Sequence, residues 1–318
     1  MLDSKHLQAL AAVITEQSFE KAARALFLTQ SAVSQRIRQL EEQVGQMLVV
    51  RSAPVRATPA GMAVLRHFRQ LAVLEESLFE ELAPQASEDF VTATLAVNAD
   101  SLDTWFLLAV RDILAEKNVL LDLVADDQSV THAYLRSGEV QGAITSTPAS
   151  YQGLATHDLG DMEYLCVATP QFAARHCPDG FGRNEANRAP MVVFSHKDAL
   201  QHEFLRQRFG EDVRPPVHVM PSNISFQGLI LAGAAFGMVS RNLAAPFLEK
   251  GDLVDLAPGE TLRVPHFYQC WTLQSSLSAR ISEIIVRTAR AHLIPRDPGS
   301  STLASAGRET SALPRFRG

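Results

Sequence analysis

The sequence predicts an α/β chain headed by a small, mainly helical unit, and three observations carry that prediction. Residues 1–50 hold closely spaced helical stripes, the last of them with a polar outer face. From Pro59 to about Leu82 the helical period meets no further proline, which predicts one long helix. Beyond residue 90, short apolar strand patterns alternate with helical ones, the mark of βαβ units and of two linked α/β lobes.

At 318 residues the chain exceeds one ordinary core, and roughly 150 residues per domain gives about two domains. With 46% apolar and 20% charged residues, disorder and fibrous repeats are excluded for its bulk. Cys166, Cys177 and Cys270 are odd in number and scattered, so neither a disulfide framework nor a zinc cluster is expected, and no cofactor. The start lacks a signal peptide's basic and apolar regions, and no apolar run nears the ~20 residues that span a bilayer. A cytoplasmic protein without a membrane partner is expected. Net charge is −6. Yet residues 1–60 carry Lys5, Lys21, Arg24, Arg36, Arg38, Arg51 and Arg56 against Asp3, Glu16, Glu20, Glu41 and Glu42, a net +2 that leaves −8 for the rest. That asymmetry confines polyanion binding to one end.

Leu7, Leu10, Ala11 and Ile14 form the first apolar stripe. Ser18 suits the N-cap of a short second helix carrying Ala22, Ala23 and Leu26. Thr29 suits the N-cap of a third, where Val33, Ile37, Leu40 and Val44 share a face and Gly45 ends the helix. Two short helices joined by about three residues, the second with a polar outer face, meet the requirements of a helix-turn-helix. Residues 47–57 read as a small hairpin around a proline turn, flanked by Arg51 and Arg56. Thr58 as N-cap and Pro59 as first helical residue then open the long helix, a rod of roughly 36 Å. Its stripe of Val64, Phe68, Leu71, Leu78 and Leu82 has no obvious cover within the chain. A second copy of the same helix is expected to cover it.

Residues 84–89 read as a hinge. Strands are expected at 92–99, 119–125 and 141–146, with helices to Lys117 and Ser137 between them. More strands are expected at 163–169, 189–195, 215–221, 235–240 and 266–273, and helices near 198–209, 224–233, 241–249 and 277–293. The last twenty residues read as a disordered tail.

The sharpest chemical signal spans residues 18–44. With Val33 and Ile37 turned inward, Ser31, Ser34, Gln35 and Arg38 face outward, and Gln30 sits at the end a major groove receives first. Glutamine reads the adenine N6/N7 edge, arginine reads guanine O6/N7, and serine contacts bases or phosphates. Arg51 and Arg56 suit phosphate anchoring, which fixes register without reading sequence. A solvated helix face is the plain alternative. The two-helix spacing, the small Ala22-Ala23 pair and the flanking arginines weigh against it.

Ala22-Ala23 followed by residues 29–41, TQSAVSQRIRQLE, resembles the winged helix-turn-helix of LysR-type transcriptional regulators, as do the hairpin arginine and Thr58-Pro59-Ala60-Gly61. Most members have proline where this chain has Ser31. The serine form, with residues 50–61 and 98–105, is similar to the branch controlling lysine and arginine export genes. The resemblance covers residues 3 to about 295. It implies a DNA-binding domain over 1–58, a dimerising helix and hinge over 59–89, an effector domain of two periplasmic-binding-protein-like lobes over 90–298, and a tail over 299–318. It also implies an operator in double-stranded DNA, a small-molecule effector between the lobes, a homodimer through residues 59–82 and a homotetramer.

The acidic body allows an independent reading of the effector. Its first three strands end at Asp100-Ser101, Asp126-Asp127 and Thr145-Ser146, where ligands of open α/β sheets sit. Ser101 opens a helix whose N–H suits a carboxylate. Asp126 or Asp127 suits an ammonium or guanidinium. An amino acid with a cationic side chain needs both, so lysine or arginine is the expected effector, with a different small effector as the alternative. Asp100 as a mere cap and Asp126-Asp127 as an exposed loop are the plain readings. Ser195 and Asn223 are candidate contacts from the second lobe, whereas His196 reads as a loop histidine. Asp161 and Glu163 are expected at the solvent or between lobes, and Cys166 and Cys270 in the core.

No GxSxG, Walker A, HExxH or dinucleotide glycine fingerprint occurs, and no enzyme is expected. A ligand sensor docking a protein partner through its N-terminal helices is the rival. The third helix's outer face lacks the aromatic anchors that such docking favours.

Overall fold

Side-chain caps set the helix starts of the N-terminal unit. Asp3, Ser18 and Thr29 accept from the N–H groups of Lys5, Lys21 and Ala32, opening α1 (Ser4–Thr15), α2 (Phe19–Ala25) and α3 (Gln30–Val44). Gly45, at φ 74°, ends α3 in the left-handed conformation. The structure is a computed structural model that describes residues 2–82, 90–116, 118–124, 134–135, 138–148 and 153–296. Leu7, Leu10, Val13, Ala22, Ala23, Val33, Ile37 and Leu40 meet in one core. The small side chains of Ala22 and Ala23 let α2 approach α3 closely. The antiparallel hairpin β1 (Val49–Val50) and β2 (Arg56–Ala57) closes this core with Leu48, Val49 and Val55. Buried Glu41 ties the hairpin to α3, its Oε1 accepting from the Leu48 N–H at 2.8 Å and the Val49 N–H at 3.3 Å.

The long helix α4 (Pro59–Leu82) starts where Thr58 Oγ1 accepts from the Gly61 N–H and donates to the Met47 carbonyl. Only glycine fits at position 61, because a Cβ there would lie 2.0 Å from the Leu48 carbonyl oxygen. The apolar stripe behaves differently in its two halves. Val64 and Leu65 are buried in the N-terminal core and Phe68 and Leu71 pack on it, whereas Leu74, Leu78 and Leu82 are exposed. The chain itself therefore covers the half nearest the core, contrary to the expectation of a wholly bare stripe.

Beyond α4 the strands are β3 (Val91–Ala96), β4 (Val119–Val124), β5 (Gly142–Thr145), β6 (Leu154–Ala168), β7 (Met191–Val193), β8 (Val217–Val219), β9 (Gly237–Ser240), β10 (Val254–Asp255) and β11 (Leu262–Trp271). The helices are α5 (Ala99–Ser101) running through a π-helical turn (Leu102–Phe106) into α6 (Leu107–Leu114), then α7 (Pro170–His176), α8 (Arg183–Arg188), α9 (Leu200–Phe209), α10 (Asn223–Leu231), α11 (Arg241–Lys250) and α12 (Ser276–His292). β3 runs parallel to β4 and β5, as the βαβ pattern predicts. The rest of the sheet is antiparallel. Its order is β10-β6-β11-β5-β3-β4, with β9 also on β6, and β7 and β8 form a separate parallel pair.

The two lobes thus share one mixed sheet, because β6 and β11 pair from Leu262 opposite Tyr164 to Trp271 opposite Leu154 and belong to both. The strand expected at 163–169 is the second half of a 15-residue strand. Its first half reads as loop because Thr156, His157, Asp158 and Gly160 interrupt the apolar pattern. Helices α7 and α8, of seven and six residues, are too short to show a period. Asp161 is not a solvent group. It is buried and held by Arg296, while Glu163 pairs with Arg241 and Arg263. All three cysteines are buried, and burial pushes the Cys166 thiol well above its ordinary range, which leaves it unreactive. The hinge at 84–89, most of the helix expected to end at Ser137 and the tail at 299–318 lie outside the described residues.

Candidate functional site

The first candidate site is the outer face of α3 with the hairpin beside it. Burying Val33, Ile37 and Leu40 leaves Gln30, Ser31, Gln35 and Arg38 exposed and Ser34 half-buried. These five groups share one side of the unit. Ser31 is partly engaged, its hydroxyl lying 3.0 Å from the capping hydroxyl of Thr29. On the hairpin Arg51 and Arg56 are exposed, and the Arg51 guanidinium stacks 5.2 Å from the Phe19 ring centre. That stacking orients the cation without neutralising it.

The second candidate site lies between the lobes, at the C-terminal end of β3. Asn98, in extended conformation, opens α5, and the π turn that follows kinks at Thr104 (φ −118°, ψ −106°). The Thr104 hydroxyl donates to the Asp100 carbonyl at 2.6 Å. Asp100 faces the second lobe, where the Tyr164 hydroxyl on β6 donates to its Oδ2 at 2.6 Å. Asn223, first residue of α10, donates from its amide to Asp103 Oδ2 at 2.5 Å. Asp198 completes the group. It accepts from the Phe194 and Leu200 N–H groups and lies close enough to raise Asp100 electrostatically. Burial is the largest cause lifting the Asp100 carboxyl above its ordinary value, with Asp198 and Asp103 adding to it and Tyr164 opposing. The Tyr164 hydroxyl is pushed up strongly, by burial first and then by the Asp100 charge. Among the described residues no lysine or arginine forms an ion pair with Asp100, Asp103 or Asp198.

Ser101 is fully buried on the same helix start, and its hydroxyl and the Asn98 side-chain oxygen have no hydrogen-bond partner among the described residues. As the third residue of its helix, Ser101 also has an N–H beyond reach of any intrahelical carbonyl. Thr145 is brought to the sheet interior rather than to an open face: its buried hydroxyl donates to the Thr147 carbonyl at 3.0 Å and lies 3.4 Å from Gln269 Oε1. Ser146, next in chain, is half-buried. Ser195 is half-buried and accepts from the Lys197 N–H, and His196 is exposed. Asp126 and Asp127 lie outside the described residues. Sequence reasoning missed Asp103, Tyr164 and Asp198. Asp103 carried a signal, since three residues from Asp100 it shares a helix face. Tyr164 carried no signal beyond its place in the strand expected at 163–169, and the placement of Asp198 depends on a loop that returns from another strand.

Residues 4–62 match the bacterial regulatory helix-turn-helix proteins of the lysR family, and residues 92–290 match the LysR substrate binding domain. The chain is 38% identical over 295 residues to the HTH-type transcriptional regulator ArgP of Aeromonas salmonicida, spanning 92% of this chain and 99% of that protein. It is 42% identical over 284 residues to the HTH-type transcriptional regulator LysG of Mycobacterium tuberculosis, spanning 89% and 92%. The crystal structure of ArgP from Mycobacterium tuberculosis superposes with TM-score 0.87 at 40% identity, over 93% of this chain and all of that one. Full-length LysG from Corynebacterium glutamicum with bound effector Arg gives 0.79 at 32% identity, over 92% and 100%. Matched along nearly its whole length by the helix-turn-helix and substrate-binding domains of that family, the chain belongs to the LysR family of DNA-binding transcriptional regulators.

Proposed function

We propose that this regulator senses a basic amino acid, lysine or arginine, between its lobes and so controls a gene of amino-acid export or metabolism. The observation that carries the reading is the set of three carboxylates, Asp100, Asp103 and Asp198, contributed by both lobes without a lysine or arginine ion pair among the described residues. Carboxylates brought together this way repel one another, and a ligand cation removes the repulsion while gaining charge-assisted hydrogen bonds. The helix start at Ser101 suits the ligand's carboxylate. Arginine as the bound effector of the Corynebacterium glutamicum relative supports the same chemistry. Asp126 and Asp127, outside the described residues, belong to the reading as further acids.

In this reading residues 1–58 bind DNA, with Gln30, Ser31, Ser34, Gln35 and Arg38 toward bases and Arg51 and Arg56 on phosphates. Residues 59–89 dimerise through the bare half of α4, 90–298 hold the effector, and the assembled form is a homotetramer. The protein acts in the cytoplasm by binding rather than by catalysis. No helix of the described residues is long and apolar enough to cross a membrane.

Isothermal titration of the full chain with lysine, arginine, norleucine and glutamate tests the cation site. A charge-assisted hydrogen bond worth about 1.5–3 kcal/mol separates lysine from norleucine by roughly ten- to a hundredfold. Asp103→Asn or Asp198→Asn removes most of that preference. Norleucine or glutamate binding as tightly as lysine would reject it.

A further inference from the structure

Phe27 stands in the turn between α2 and α3, 96% exposed, with φ at +54°. The turn closes α2 with the Leu28 N–H donating to the Ala23 carbonyl at 2.8 Å and the Phe27 N–H to the Arg24 carbonyl at 3.1 Å. This pattern forces one residue past the helix end into the left-handed region, where glycine or asparagine is the usual occupant. A bulky side chain is strained there. Nothing in the protein's own packing compensates, because Leu28, not Phe27, packs against the N-terminal core. The other two non-glycine residues at positive φ among the described residues, Gln17 and Asn118, are polar. A strained aromatic held in solvent points to something outside the chain that the ring touches.

Its position says what. Gln30, the first residue of α3, follows three residues later, so the ring stands at the end of the helix that a major groove receives first. We propose that Phe27 is a DNA contact whose ring packs on the C5-methyl group of a thymine beside the base pair met by Gln30. Apolar contact with that methyl is how a phenyl ring discriminates a base in the major groove. The turn fixes the backbone that carries the ring before binding, so little backbone freedom is lost on docking. The proposal rests on α3 being the reading helix, which Arg38→Ala tests separately.

Phe27→Gly and Phe27→Asn both suit a positive φ, and in the full chain their melting temperatures are expected to equal or exceed the parent's. Their affinity for a labelled duplex from upstream of the chain's own gene, read by fluorescence anisotropy, is expected to fall about tenfold. The salt dependence of binding stays the same, because no phosphate contact is lost. Replacing one thymine of the duplex by deoxyuridine reproduces the loss in the parent and adds nothing in the variants. Variants that bind within twofold of the parent, while Arg38→Ala loses base discrimination, overturn the Phe27 contact alone. A loss that no single deoxyuridine reproduces, or a fall in melting temperature, overturns it as well.

Discussion

Gln30→Ala and Arg38→Ala each remove exposed hydrogen-bonding groups from α3 without touching the core beneath it. Each is expected to lose roughly 1–3 kcal/mol of discrimination at particular base pairs, seen in gel-shift titrations against single-base operator variants. Arg51→Ala behaves differently. It weakens binding to every sequence and lowers the salt slope by about one, because a phosphate contact carries charge and no sequence information. At the other end of the molecule, the proposed effector site predicts a pH dependence that runs through Asp100. Its carboxyl is raised from 3.8 by burial and by its acidic neighbours, so it takes up a proton at higher pH than an exposed aspartate. A ligand cation favours the charged form. Lysine affinity should therefore rise with pH through that raised value and level off above it, and Asp100→Asn should flatten the profile in calorimetric titrations. In the free protein the sign is opposite: ionising Asp100 lowers folding stability as pH climbs from 3.8 through the folded value. The exposed positions of Gln30 and Arg38 and the strand-end position of Asp100 were legible because helix period and strand pattern place them. Asp198 was not, because its neighbour Asp100 lies 98 positions earlier in the chain and nothing local announces the meeting.

Among the elements, α4 makes the clearest prediction. Leu74, Leu78 and Leu82 lie exposed on its far half, and exposed leucines at helical spacing need cover. Leu74→Glu with Leu78→Glu should yield smaller species by light scattering and weak operator binding; an unchanged oligomer would remove α4 from the dimer interface. The hairpin depends on Glu41 in the same sense. Glu41→Ala leaves the buried Leu48 and Val49 N–H groups without their acceptor and should cost about 1–3 kcal/mol, measured by thermal unfolding. Ser18, Thr29 and Thr58 marked helix starts in the sequence because a short oxygen-bearing side chain is what the free N–H groups require. The first half of β6 escaped because it carries polar residues. Asp158 Oδ1 accepts from the Gly160 N–H at 2.8 Å, and both Asp158 and Asp161 are held by Arg296. Those polar groups belong to the place where the strand passes from one lobe to the other.

Across the whole molecule, the lobes share β6 and β11, and two side-chain contacts between them, Tyr164 to Asp100 and Asn223 to Asp103, lie around the acidic cluster. On the proposed function, a ligand cation among those carboxylates is expected to change how tightly the lobes hold each other. The first lobe in turn touches α4, with Gly138 against the Arg69 side chain and the Arg66 guanidinium 5.9 Å from the Trp271 ring centre. On the proposed function, effector binding is therefore expected to alter the seating of α4 and, in the proposed dimer, the spacing of the paired α3 helices. Footprinting of the full chain on the duplex upstream of its own gene, with and without lysine, arginine, norleucine or glutamate, tests this most directly. Lysine or arginine should alter the protected region while norleucine and glutamate leave it as it was, and Asp103→Asn should abolish the change. The same alteration with norleucine, or none with either basic amino acid, would contradict it.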